Sequence, residues 1–259
     1  MRRTITLLTM AAALWMAAAC TPANGKGHTA AEESQREMTE LPAIDSTDKI
    51  VSHTGFTLCY SHQHKQARWV AYMLTRDRAR GTVKRTDDFR PDPSVKGCAQ
   101  LEDYHRSGYS RGHLCPAYDM KWSPQAMSET FLLSNISPQK QDFNDGIWKK
   151  LETRVHGWAM IYDTLYVVTG PVLSEGLATI GPSRVSVPEY FYKVVYAPKT
   201  QHMIGWVVRH EQMDITAPKL AVTVDSVERL TGIDFFASLP DELEEQMESS
   251  YQRNDWDWK

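Results

Sequence analysis

The chain predicts an α+β fold, a central antiparallel sheet with flanking helices, on three observations. Residues 165–208 hold runs of β-branched and aromatic residues broken by turn chemistry. Apolar residues recur at helical spacing in separate segments, over 144–157, 222–230 and 240–249. No internal repeat interleaves the two kinds of segment, so sheet and helices segregate. The 259 residues suit one domain with a large core.

The elements follow in order. Phe56 to Tyr60 and Arg68 to Leu74 read as two strands around a polar turn, a natural hairpin. Residues 75–100 are loop-like, with Pro91, Pro93 and Gly97. Residues 109–115 form a further strand. Ser123-Pro124 starts a helix over Gln125 to Leu133, with proline in its first turn. Asn144 to Gly157 is a clear helix: Ile147, Trp148, Leu151 and Val155 share one face, and Glu152 lies at its edge. Leu165 to Thr169 is a strand that stops at Gly170-Pro171. Tyr190 to Tyr196 and Met203 to Val208 flank the turn at Pro198 to Gln201. Val222 to Leu230 and Pro240 to Ser249 are amphipathic helices. The tail at 250–259 carries Trp256 and Trp258, which fit either packing on the domain or staying loose.

The first 19 residues read as a secretory signal peptide. Arg2 and Arg3 precede an apolar run, Thr4 to Ala19, that is too short to span a bilayer and ends in small residues. Cys20 admits two readings. Cleavage before it would expose a cysteine for lipidation, tethering the protein to a membrane surface in the periplasm or at the outer membrane. Ordinary cleavage near Ala19 would release the chain instead. Residues 20–48 are polar and small and read as a flexible tether, which leaves the domain at 49–249. Export permits a disulfide. Cys59, Cys98 and Cys115 allow at most one pair among themselves, and three small buried thiols are the alternative.

A net charge of −3 gives no bulk support for a nucleic-acid partner. The distribution is more informative. Lys65, Arg68, Arg76, Arg78, Arg80, Lys84, Arg85 and Arg90 crowd one region. That stripe fits either a surface for phosphate backbones or a plain solvated face. Asp241, Glu242, Glu244, Glu245 and Glu248 gather near the C-terminus.

The chemistry centres on Ser110-Arg111-Gly112-His113. Arg111 can hold a phosphate through two parallel hydrogen bonds. His113 can take a proton near neutral pH. Gly112 would let the backbone approach a ligand closely. Alone, the tetrapeptide also fits a structural histidine. Its surroundings are more specific: Gly108-Tyr109 before it, Leu114-Cys115-Pro116-Ala117 and Asp119 after it. Phe131 to Gln139 then leads to Phe143-Asn144-Asp145-Gly146-Ile147-Trp148 and Leu151-Glu152. This ordered series resembles the DNA/RNA non-specific endonucleases, the ββα-metal (His-Me finger) nucleases of the endonuclease G type. The resemblance runs from about Gly55 to about Glu245.

The resemblance implies a metal-dependent endonuclease that hydrolyses phosphodiester bonds of DNA and RNA and leaves 5′-phosphate and 3′-hydroxyl ends; the N-terminal segment adds the expectation of export. His113 would be the general base and Arg111 the phosphate clamp. Asn144 would be the single direct ligand of Mg²⁺, with Mn²⁺ or another divalent ion as alternatives; the residue type also fits a helix N-cap. Glu152 would orient metal-bound water. Asn135 and Gln139 match polar residues near the site, assigned here to substrate binding, with a structural role as the alternative. Two positions depart from the family pattern. Ser110 stands where the family most often has Asp, and His156, twelve residues past Asn144, where many relatives carry Arg. These departures motivate a second reading, a catalytically weak nucleic-acid-binding surface lipoprotein.

Overall fold

The computed structural model describes residues 40–258. The expected signal peptide, Cys20 and the expected tether up to residue 39 lie outside the described residues, as does Lys259. Seven strands form one antiparallel sheet: β1 (Lys49–Ser52), β2 (Thr57–Ser61), β3 (Gln66–Thr75), β6 (Thr164–Pro171), β9 (Tyr190–Ala197), β10 (His202–Arg209) and β11 (Ala221–Val222), in that spatial order. A separate pair, β4 (Ser110–His113) and β5 (Ile136–Gln139), lies outside it, as does a short hairpin of β7 (Thr179–Ile180) and β8 (Val185–Ser186). Four helices matter for the site and its support: α1 (Pro124–Glu129), α2 (Lys149–Tyr162), α3 (Val224–Thr231) and α4 (Asp241–Glu248).

Strand alternation sorts the core onto the two faces of the sheet. Val70, Tyr72, Val167, Phe191 and Val195 pack on one side with Leu151, Val155 and Trp158 of α2. Trp69, Ala71, Tyr166, Tyr192 and Val194 pack on the other with Val227 of α3 and Met247 of α4. The sheet is therefore the middle layer. The C-terminal tail closes over α2: Trp256 is buried, its ring 4.4 Å from that of Trp158. Tyr162 Oη accepts from the Asp257 N–H at 2.8 Å and donates to Asp255 O at 3.1 Å. At the other end, the Ala43 N–H donates to Asp234 O at 2.8 Å, so residues of the expected tether contact the domain.

Two differences from the sequence reading have local causes. The helix predicted through Leu133 ends at Glu129. Beyond it, Leu132 bridges to Arg90 and Phe131 turns inward, fully buried. The helix predicted to stop at Gly157 runs on to Tyr162. An interior glycine costs about 1 kcal/mol, and burial of Trp158, Ala159 and Tyr162 past it outweighs that cost. Cys59, Cys98 and Cys115 are free buried thiols. Among the described residues, no helix is long and apolar enough to cross a membrane.

Candidate active site

The two-stranded ladder sets the frame. Arg111 pairs with Pro138, Gly112 with Ser137 and His113 with Ile136. A Cβ on Gly112 would lie 2.1 Å from the Gln139 side chain. The glycine thus makes room for Gln139 rather than for a ligand, against the expectation from sequence. Gln139 is fully buried, and neither atom of its amide has a hydrogen-bond partner. Asn135 is also fully buried. Its Oδ1 accepts from the Cys115 N–H at 2.9 Å, and its Nδ2 donates to Cys115 O at 3.0 Å and Thr130 O at 2.9 Å. These bonds occupy the amide and pin the turn after His113 to the start of β5. Asn135 and Gln139 therefore sit behind the ladder, and neither lines the cavity that holds the other predicted residues.

That cavity, about 520 Å³, is lined by Arg111, His113, Asn144 and Glu152, together with Arg85 and Lys149. The His113 ring packs against Phe89, 5.5 Å away, and Phe131, 4.9 Å away, and these two phenyl rings are in edge contact with each other at 4.9 Å. Arg111 stacks over Phe89 at 4.1 Å and Arg85 over Phe131 at 4.7 Å. Two phenyl rings thus hold the imidazole and carry a guanidinium each. Burial, then the charges of Arg85 and Arg111, push the His113 pKa down to about 3. The ring is neutral at physiological pH, and its Nε2 is shut from solvent with no hydrogen-bond partner.

Asn144 opens a π-type turn, Asn144–Trp148, ahead of α2. Its own dihedrals are helical, φ −60° and ψ −49°, so it is not an N-cap. In an ideal helix, eight residues at 100° each would leave Asn144 and Glu152 about 80° apart. The wider turn narrows that angle, and Gly146, at φ −92° and ψ −115°, absorbs the distortion. Glu152 is half-buried, and burial raises its carboxyl above the ordinary range; Lys193 opposes this and Asp119 adds to it. Lys193 comes from β9 and is itself fully buried. Its Nζ has no hydrogen-bond partner and lies 4.8 Å from the Trp148 ring centroid.

The two departures from the family pattern have structural answers. Ser110 Oγ donates to Gln141 Oε1, and Gln141 Nε2 donates to the Asp145 carboxylate. An acid is linked to position 110 through one intervening amide. His156 Nδ1 pairs with Asp119 Oδ1 at 2.8 Å, while Tyr72 Oη donates to Asp119 Oδ2 at 3.0 Å. The His156 ring packs on Tyr118, 4.3 Å away, and does not line the cavity.

The donors suit a hard divalent cation. Asn144 and Glu152 bring an amide oxygen and a carboxylate to one cavity, and such ions take oxygen ligands while keeping several waters. A buried acid with a raised pKa is also a group that a nearby cation would stabilise in its charged form. Sequence reasoning left Arg85 in a general basic stripe and missed Phe89, Phe131 and Lys193 as parts of the site.

Comparison with known proteins identifies the family. The profile of the family described as "DNA/RNA non-specific endonuclease" matches residues 36–242. The chain is 38% identical over 207 residues to "Nuclease EXOG, mitochondrial" of Danio rerio, covering 72% of this chain and 60% of that protein. It is 32% identical over 209 residues to "Endonuclease G, mitochondrial" of Homo sapiens, covering 74% and 70%. It superposes on a chain from the crystal structure of an EndoG/EndoGI complex with a TM-score of 0.73 at 28% identity, covering 85% of this chain and 96% of that one. The match thus spans only about 60% of the length of the Danio rerio relative. With the family profile and the solved structure each matching most of the chain, this protein belongs to the DNA/RNA non-specific endonuclease family.

Proposed function

We propose that the chain is a divalent-metal-dependent endonuclease that hydrolyses phosphodiester bonds of DNA and RNA. One observation carries the reading: a neutral imidazole, packed against two phenyl rings, shares a cavity with Asn144, Glu152 and two arginines. His113, kept unprotonated by burial, takes the proton of the attacking water. Arg111 and Arg85, each stacked on a phenyl ring, meet the phosphate oxygens with less ordering cost than free side chains would. Asn144 would hold the ion directly and Glu152 would orient its bound water; the ion would supply Lewis-acid neutralisation of charge on the phosphate and the leaving 3′ oxygen. The Lys193 ammonium beneath Glu152 favours the carboxylate form of that acid.

A second cavity of about 870 Å³ continues the first, sharing Asp145, Lys149 and Thr153 with it. Lys150, Arg154, Arg253 and Trp258 line its far part. Cations beside an aromatic ring suit a nucleic-acid strand, and backbone contacts of this kind carry no sequence information.

A plasmid-nicking assay with Mg²⁺ or EDTA tests the reading. Purified protein should nick plasmid DNA and degrade RNA in Mg²⁺ only. His113→Ala should lower the rate by about 10²–10⁴ while its melting curve stays intact. Asn144→Ala should raise the Mg²⁺ concentration for half-maximal rate; an unchanged metal dependence refutes that ligand. Binding without cleavage by the wild type would leave a nucleic-acid-binding protein. We also propose export with lipidation at Cys20, on the Arg2-Arg3 start, the apolar run and the small residues before the cysteine. Fatty-acid labelling of the wild type but not of Cys20→Ser is the expected result.

A further inference from the structure

On the sheet face away from the catalytic cavity, α3 and α4 meet acid to acid. Asp225 and Glu228 lie three residues apart on α3, and Glu244 and Glu248 four apart on α4. One carboxylate oxygen from each of Asp225, Glu228 and Glu248 lies within 4.8 Å of the others. Asp234 and Asp241 add negative charge nearby. The basic side chain that reaches the cluster is Arg229. It sits 3.7 Å from Asp225 and donates to Ser226 Oγ at 3.0 Å, at the exposed rim.

Surface acids often gather without a ligand, so a second observation matters. Glu248 keeps only 6% of its surface exposed, and its Oε1 is buried with no hydrogen-bond partner. Glu244 Oε1 is likewise buried and unpartnered. A shielded carboxylate oxygen facing two other carboxylates is costly unless a proton or a cation joins it. Glu228 is held in place, since its Oε1 accepts from the Phe235 N–H at 2.8 Å. Size separates the candidate ions. Calcium–oxygen distances of 2.3–2.6 Å let two opposite ligands stand up to about 5 Å apart, whereas magnesium allows only about 4 Å. A spacing of up to 4.8 Å therefore suits calcium without rearrangement.

We propose that Asp225, Glu228 and Glu248 form a structural calcium site that clamps α4 onto α3, separate from the catalytic metal. The site is built from two helices that also bury Val227 and Met247 against the sheet. Its loss would loosen the C-terminal part of the domain without touching the reacting atoms.

The test is thermal melting of the full chain at pH 8, stripped with EDTA and then titrated with CaCl₂. Calcium about 100-fold above its Kd should raise the Tm by roughly 5–10 °C. The rise should persist in Asn144→Ala, where the catalytic ligand is gone. It should vanish in Glu248→Gln and in Asp225→Asn; the second variant alters a half-buried edge position and serves if the first does not fold. Mg²⁺-supported nicking by Asp225→Asn should match the wild type well below its Tm. Equal calcium-dependent shifts in wild type and both variants would overturn the proposal. So would a wild type whose Tm does not respond to calcium; a rise in Tm on Glu248→Gln would then show that shared protons satisfy the cluster instead.

Discussion

Asn135→Ala separates two roles that the sequence left together. The substitution removes one acceptor and two donor contacts, leaving the Cys115 N–H, Cys115 O and Thr130 O unpaired in a fully buried site. Each orphaned group costs about 1–3 kcal/mol. Two of the three lie on one residue, and a water can enter the vacated space, so about 3–5 kcal/mol in total is a reasonable sum. For a domain of this size each kcal/mol moves the Tm by roughly 2–4 °C, so a drop of about 10 °C is expected. Calorimetry on wild type and variant measures it. Nicking at 10 °C, where both proteins are folded, should agree within about twofold, because this amide faces no substrate. A variant that melts within about 2 °C of wild type yet loses most of its activity would refute the argument and return Asn135 to substrate binding.

Three further outcomes follow from the same geometry. His113 is held near pKa 3, below its ordinary value of 6.5. Between those values the unfolded chain binds the extra proton, so this residue's share of stability is full above pH 6.5 and is lost as pH falls toward 3; His113→Gln should flatten that part of the Tm-against-pH curve. Arg253→Ala should weaken binding of a fluorescent oligonucleotide in EDTA and lower the slope of log K against log salt by about 0.7–0.9; an unchanged slope would remove Arg253 from the strand path. Gly112→Ala forces a Cβ to within 2.1 Å of Gln139 and should cost about 1–3 kcal/mol by overpacking. Adding Gln139→Ala should recover most of that loss in a melt, whereas no recovery would place the clash elsewhere.

What could be read from the sequence depended on whether a signal was local. The sheet was legible because its strands carry alternation and turn residues within a few positions of each other, as in Tyr190 to Val208. β5 was not, since Ser137, Pro138 and Gln139 look like a loop until they meet β4 across the ladder. His113 and Asn144 were legible through an ordered motif, but their convergence needs the π-type turn, which no periodicity announces. Gly112 and Asn135 show the opposite case. Gly112 was expected to admit a ligand, and Asn135 to bind substrate or to be structural, because a flexible backbone and an amide serve ligands and buried packing equally well; only coordinates reveal Gln139 over the one and the Cys115 backbone around the other. Lys193 did leave a trace. It shares the parity of Phe191 and Val195, which face α2, so a lysine on that side of a central strand has to be buried. A buried ammonium is sustained only near an opposing charge, and the acid on the adjoining face of α2 is Glu152. Followed to its end, strand parity alone would have led from an apolar strand to the carboxylate of the candidate active site.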